Sequence, residues 1–284
     1  ELVPGFEVFD AVAQGTAQMG HAGSYYWKGK IPAAPIFSAI PFGMTANEMN
    51  AWLHYGGGLE LWQELYKPFG VIPFAGGSTG VQMAGWFKKE INSLDDFAGI
   101  NMRIPGLGGE VFKEVGGVPV TLTGGEIFVS LQTGAIDATE WVGPYNDLAF
   151  GLHRAAEYYY HSGWHEPGTM LEFIVNEKAF ETLPSDLQAI VRIAIRAVNQ
   201  DMLDEYTARN NSAMQSLINE HGVKVKPLPD DVMKALKQAT KKVMTRLSEE
   251  DADFARIYSN YQTFYKDVAA YHKLADQEYY KNRE

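Results

Sequence analysis

From Ser185 to His221 the chain contains neither glycine nor proline and keeps a helical pattern, and no other feature constrains the fold as much. At 1.5 Å per residue a helix of this extent is roughly 55 Å long. Pro184 and Ser185 open it, Gln188 stands three residues on as in a capping box, and Gly222 supplies a left-handed stop. A small single domain has no use for such a length, so the helix is expected to run as a spine along two lobes. The alternative is a pair of helices broken near Asn210-Asn211.

A chain of 284 residues, 46% hydrophobic and 21% charged, is large enough for two lobes with separate apolar cores. Ahead of the spine, short apolar runs alternate with helical patterns: Val71-Ile72-Pro73-Phe74, Met83-Ala84-Gly85-Trp86-Phe87, Met102-Arg103-Ile104 and Pro119-Val120-Thr121. That alternation predicts an α/β architecture with parallel strands. Ser93 before Leu94-Asp95-Asp96, and Thr123 three residues before Glu126, read as helix starts with an acid in the first turn. Phe9 to Gln18 echoes Phe128 to Asp137: each is a helix with apolar residues on one face, a glycine (Gly15, Gly134) where a left-handed cap is wanted, then a short apolar segment. Two copies of one unit, far apart in sequence, point to two similar lobes. After Pro229 a helical pattern resumes from Asp230 through Lys281, with Tyr258, Tyr261, Phe264, Tyr265, Val268, Tyr271 and His272 at three- and four-residue spacing. This stripe either packs on its own lobe or meets a second subunit.

Several function classes drop out. The chain has no cysteine, which removes disulfides, thiolate metal sites and cysteine nucleophiles. With a net charge of -11 and no basic stripe, nucleic acid is not an expected partner. No apolar run approaches the roughly 18 residues of a membrane span. The P-loop and the zinc-protease motif are absent. Gly106-Leu107-Gly108-Gly109 lacks the spacing of a dinucleotide loop, and His161 with His165 falls on a strand and a loop rather than on one helix face. The opening Glu1-Leu2-Val3-Pro4-Gly5 resembles neither a translation start nor a domain opening, so preceding residues are expected.

Two positions carry more information. Arg103 lies inside a short apolar strand followed by a glycine-rich turn. An arginine there is unfavourable unless it is paired or faces a cleft. At the carboxyl end of a strand it would point toward the usual ligand crevice, where a guanidinium matches a carboxylate with two parallel hydrogen bonds. Pairing with a structural acid is the other reading. Glu140-Trp141 sets an acid beside an apolar wall, and with the amide of Gln82 and the carboxylate of Glu166 it would suit a hard cation.

Taken together, Ala11 to Met19, Ile40-Pro41-Phe42-Gly43, Gly99 to Gly106, Gly117-Val118-Pro119-Val120 and Leu131 to Ala138 resemble, in family order, the extracytoplasmic solute receptors of TRAP transporters, the DctP-type family. Thr139 to Asp147, with Gly23-Ser24-Tyr25-Tyr26-Trp27 upstream, is similar to the TakP-like subgroup, which takes short 2-oxoacids together with a metal ion. The resemblance implies a periplasmic-binding-protein-like fold of two α/β lobes around a cleft, with a spine helix and a C-terminal helical segment. The first lobe is expected from 1–80 and 139–180, the second from 81–138 and 181–250, and a C-terminal helix from 251–284 that permits a homodimer. A strand–helix–strand unit that such receptors carry before the first residue is missing from this sequence.

The resemblance further implies that Arg103 grips the carboxylate of a small monocarboxylate such as pyruvate or 2-oxobutyrate. Gln82, Glu140 and the backbone of Trp141 would hold the ion, with Glu166 as a further carboxylate. Tyr25, Tyr26, Phe42 and Asn146 would line the pocket. Arg103, the bound carboxylate and one glutamate sum to a single negative charge, which a monovalent ion neutralises, so sodium is expected ahead of calcium. A second coordinating acid would reverse that order, because buried charge left unbalanced is costly. The implied protein performs no chemistry, works outside the cytoplasm after removal of a signal peptide, and hands its ligand to membrane subunits. The rival readings are a receptor for lactate or another 2-hydroxy acid with calcium, a sensory ligand-binding module, and an enzyme on a similar scaffold.

Overall fold

A computed structural model describes residues 2–283. The α-helices are α1 (Val8–Ala13), α2 (Ala46–Tyr55), α3 (Gly58–Tyr66), α4 (Gly106–Glu114), α5 (Gly124–Thr133), α6 (Pro144–Phe150), α7 (Glu177–Glu181), α8 (Ser185–Asn219), α9 (Asp230–Glu250), α10 (Ala252–Leu274) and α11 (Asp276–Asn282). The strands are β1 (Met19–Ala22), β2 (Val71–Ser78), β3 (Gly85–Phe87), β4 (Asn101–Arg103), β5 (Val118–Val120), β6 (Ala138–Thr139), β7 (Tyr158–His161), β8 (Met170–Asn176) and β9 (Lys224–Pro227).

They form two sheets, one of order β1-β8-β2 and one of order β5-β4-β6-β3-β7-β9. The expected parallel pairing holds for β4 with β5 and β6 and for β7 with β9. Elsewhere it gives way to antiparallel pairing: β8 against β1 and β2, and β3 against β6 and β7. The reason is the connectivity. The chain passes from β2 in the small sheet to β3 in the large one, and returns from β7 to β8, with no intervening helix in either passage. A chain that leaves along β2 and β3 and comes back along β7 and β8 runs against its own direction, so β2 meets β8 and β3 meets β7 antiparallel. β7, within the 139–180 segment assigned to the first lobe, is a strand of the large sheet, so the return comes after it.

The cores follow the two sheets. Phe9, Trp27, Phe37, Trp52, Trp62, Tyr66 and Ile174 pack with Phe254, Ile257 and Tyr261 of α10 in the first core. In the large sheet, successive strand residues serve opposite faces, as the period of two requires. Phe87 and Tyr160 join α4 and α9 on one face, while Trp86 and Tyr159 join α5 and the end of α8 on the other. The sequence echo is real as local structure: Gly15 at φ +78° lies between α1 and β1, and Gly134 at φ +85° between α5 and β6.

The spine helix α8 is continuous through Asn210-Asn211. Asn210 does not compete for its own backbone, as asparagine often does, because its Oδ1 accepts from Tyr145 N at 3.1 Å. Asn199 does the same toward the small sheet, accepting from Gly77 N at 2.9 Å and donating to Asn50 Oδ1 at 2.7 Å. The expected capping box is not formed. Pro184 is itself the extended residue before the helix, so Ser185 is already helical, and Gln188 Nε2 donates to Leu183 O at 3.0 Å. The C-terminal segment, expected as one run, breaks at Asp251 and Ala275. Asp251 caps α10, its Oδ1 accepting from Phe254 N at 2.6 Å. Most of the aromatic stripe packs on its own lobe; Tyr271 stays 67% exposed.

Glu172, at the centre of the small sheet, is fully buried and accepts from Trp27 Nε1. Burial pushes its carboxyl up to about 8. Asp147, buried beneath Trp86 and Tyr159, is raised to about 7 by the same cause. An acid whose folded value lies above its unfolded one contributes full stability below the unfolded value and loses it as pH rises through the folded one. Thermal stability is therefore expected to fall between pH 5 and pH 8, and Glu172→Gln should flatten that fall. Melting curves across this range check both; an unchanged slope in the variant would show that Glu172 ionises as freely as an exposed acid.

Candidate functional site

Both passages between the sheets carry polar residues into the interior. On the outward passage, Thr79 and Gln82 are buried; on the return, His165, Glu166 and Thr169 are buried. The two passages are bonded to each other through Thr79 N to Thr169 O and Gln82 N to Glu166 O, each 3.2 Å. Gln82 Nε2 donates to Glu166 Oε2 at 2.8 Å and to the hydroxyls of Thr79 and Thr169 at 3.2 Å. The Oε1 of Gln82 is buried without a partner.

Arg103 and Glu140 come together by strand register. β4 and β6 run parallel with Arg103 opposite Thr139, so the next residue, Glu140, leaves its strand beside Arg103. Arg103 Nη1 donates to Glu140 Oε1, Nε donates to Leu122 O at 3.3 Å, and Nη2 donates to Tyr26 OH at 3.1 Å. The guanidinium lies 5.3 Å from the Trp141 ring centre. Both charged residues are only 1% exposed. Burial works against the charge on Arg103, but Glu140, together with Tyr26, Tyr25 and Glu166, outweighs it and holds the guanidinium protonated. Arg103 is thus paired with an acid, Glu140.

Glu140, His165 and Glu166 each offer a ligand atom, all within 4.8 Å of one another. His165 Nε2 is 3.4 Å from Glu140 Oε2, and His165 Nδ1 has no partner. Burial, and then the charge of Glu140, pushes the Glu166 carboxyl up to about 7. Two buried carboxyls, an orphaned amide oxygen and an imidazole form a donor set that fits a cation.

Beside this cluster is a cavity of about 190 Å³ lined by Tyr25, Tyr26, Gln82, Trp141, Asn146, Met202 and Tyr206, among others. It is well below the roughly 300–1,000 Å³ of pockets for drug-sized ligands, so it suits a guest of a few heavy atoms. Asn146 Nδ2 donates to Tyr206 OH at 3.1 Å, while Asn146 Oδ1 and Trp141 Nε1 are buried without partners. Phe42 does not line it. Its ring lies against Trp164, and its backbone, at φ 57°, is held by a 2.7 Å bond from its N–H to Trp164 O.

Sequence reasoning missed His165, Thr79, Thr169, Met202 and Tyr206. His165 was weighed only as a zinc partner for His161, which is exposed on β7 and outside the cluster. Met202 and Tyr206 are four apart on the spine, one turn above the other. That spacing marks them as sharing a helix face, but not which face looks into the cavity.

The family model of bacterial extracellular solute-binding protein, family 7, matches residues 1–251. A monocarboxylate 2-oxoacid-binding periplasmic protein of Nostoc sp. is 44% identical over 279 residues, covering 98% of this chain and 76% of the relative. A TRAP periplasmic solute-binding protein from Pseudoalteromonas atlantica, solved with sodium and pyruvate, superposes with a TM-score of 0.95 at 43% identity, covering 97% of this chain and 84% of the other. One from Bordetella bronchiseptica, a mixed-occupancy dimer solved with copurified calcium and picolinate, gives a TM-score of 0.97 at 40% identity and covers 100% and 84% of the two chains.

Proposed function

This chain belongs to family 7 of the bacterial extracellular solute-binding proteins, and we propose that it is the receptor subunit of a TRAP-type importer that traps a short 2-oxoacid such as pyruvate together with a metal ion. One observation carries the reading: the buried Arg103–Glu140 pair adjoins a small cavity whose lining includes a residue with an unpartnered amide oxygen. The two lobes, one built on the β1-β8-β2 sheet and the other on the six-stranded sheet, close around the guest and exclude water, which strengthens every charged contact inside. Arg103 turns a guanidinium edge to the carboxylate. Tyr26 holds that edge, and Trp141 limits the guest by shape.

Gln82, Glu140 and the backbone of Trp141 would hold the ion, with Glu166 and His165 close by. When bound, it supplies positive charge to the guest's carboxylate and α-oxygen. Picolinate, bound with calcium in the Bordetella relative, also carries a donor atom next to its carboxylate, which supports selection for that chemistry over simple fatty acids.

The state of Glu166 chooses the ion. Arg103 with Glu140 is neutral, and the guest adds one negative charge. With Glu166 protonated a monovalent ion completes the balance, and with Glu166 ionised a divalent one does. Burial and the charge of Glu140 push the Glu166 carboxyl up to about 7, which supports sodium below that pH. Elemental analysis of protein dialysed against millimolar sodium and calcium at pH 6.5 checks this; one calcium per chain would reverse the assignment.

A second reading has its own observation. The unpartnered Asn146 Oδ1 lacks a donor, and the hydroxyl of a 2-hydroxy acid such as lactate would supply one. Calorimetry of pyruvate and lactate against the same protein separates the two, pyruvate being the tighter under the main reading and returned unchanged. The protein works in the periplasm after removal of a signal peptide and meets membrane subunits there. No helix among the described residues is long and apolar enough to cross a membrane. Exposed Tyr271, Leu274, Tyr279 and Tyr280 on the last two helices support a homodimer; a monomeric mass on native mass spectrometry would remove it.

A further inference from the structure

The cavity lining is mixed: Thr79, Gln82 and Thr169 are polar, Ala22, Leu171 and Met202 are apolar, and Met202 and Leu171 meet over Gly77. With the guest's carboxylate on Arg103 and the ion at Gln82, the apolar group is the end left to its carbon tail. Met202 reaches that position only because of what lies beneath it. Opposite β8, strand β2 shifts register between Ala75 and Gly77, and Gly77 takes φ +152°, open to glycine and rarely to other residues. A Cβ built on Gly77 would fall 2.4 Å from Met202 Sδ, so the missing side chain is the space in which the thioether lies. Asn199, three residues before Met202 on the spine, takes the Gly77 N–H at 2.9 Å and fixes the height of the helix over the strand. The backbone under Met202 is thus pinned, and its unbranched side chain, with three rotatable bonds, is free to adapt.

We propose that Met202, seated over Gly77, sets the chain length of the acid the cavity accepts; this rests on reading the cavity as a 2-oxoacid site. Truncating Met202 lengthens the apolar end by the space of its thioether and terminal methyl while leaving Arg103, Glu140 and Gln82 untouched. Filling it with a larger ring closes that end.

The test is calorimetry with pyruvate, 2-oxobutanoate, 2-oxopentanoate and 4-methyl-2-oxopentanoate on wild type, Met202→Ala and Met202→Phe. A methylene placed or refused in an apolar pocket is worth about 10- to 200-fold. In Met202→Ala the affinity for 2-oxopentanoate relative to pyruvate should therefore rise by at least tenfold, with pyruvate itself changed by less than tenfold. In Met202→Phe the same ratio should fall. Wild-type binding of pyruvate with ratios unaltered in both variants overturns the role of Met202 alone. A wild type that binds none of the four acids overturns the reading of the cavity, and this assignment with it. Should Met202→Ala fail to fold, the Met202→Phe ratio decides by itself.

Discussion

Arg103→Met is expected to lose pyruvate binding by two to three orders of magnitude and to lower folding stability by about 3–5 kcal/mol. The stability loss follows from Glu140, which is 1% exposed and would be left as a buried charge without its partner. The binding loss follows from the guest carboxylate, because removing one member of a desolvated, hydrogen-bonded charge pair costs about 2–5 kcal/mol or more. A combined variant separates the two effects. Replacing a buried ion pair by apolar residues of similar volume is often neutral or stabilising, so Arg103→Met with Glu140→Leu should recover most of the melting temperature yet bind no pyruvate. Melting curves and calorimetry on the single and double variants measure this. A double variant that still binds pyruvate at wild-type affinity would remove Arg103 from the site.

Glu140→Gln has a comparable cost and a different signature. Arg103 keeps a hydrogen-bond acceptor but loses its counter-charge, at a cost of about 3–5 kcal/mol for the uncompensated buried cation. Here the guest is itself the missing anion. Saturating pyruvate should therefore raise the melting temperature of Glu140→Gln by more than it raises that of wild type, since a ligand of the folded state stabilises by an amount that grows with the logarithm of its concentration over Kd. The dependence of pyruvate binding on the added ion should at the same time weaken, because one of the ion's acids is gone. Calorimetry in sodium and in choline buffers reads the ion dependence. A variant with wild-type sensitivity to the ion would place the ion away from Glu140.

What the sequence made legible was whatever depends on local pattern or on register over a few residues. The unbroken run from Ser185 is one long helix because nothing in it breaks one, and Ser93 and Thr123 open their helices with the expected acids, Asp96 and Glu126. Arg103 and Glu140 were visible as charges at the ends of short apolar strands, and the parallel pairing of those strands brings them into contact. What stayed hidden depends on how the chain crosses between the sheets. Nothing local to Val71–Ser78 or Met170–Asn176 says that these strands run antiparallel, and that crossing is what sets Gln82 against Glu166 and Thr169. His165 was invisible for the same reason: its partners lie on a different strand end rather than one helical turn away. Phe42 shows the opposite error, since a position inside a resembling segment is turned by its left-handed backbone toward Trp164.

The most direct test is a crystal structure of the protein grown with pyruvate in sodium-containing buffer. The account predicts the pyruvate carboxylate within about 3 Å of the Arg103 guanidinium, an ion between Gln82, Glu140 and the guest, and the methyl group toward Met202. Pyruvate bound elsewhere, or in this cavity with Arg103 still bonded to Glu140 alone and no ion beside Gln82, would contradict it.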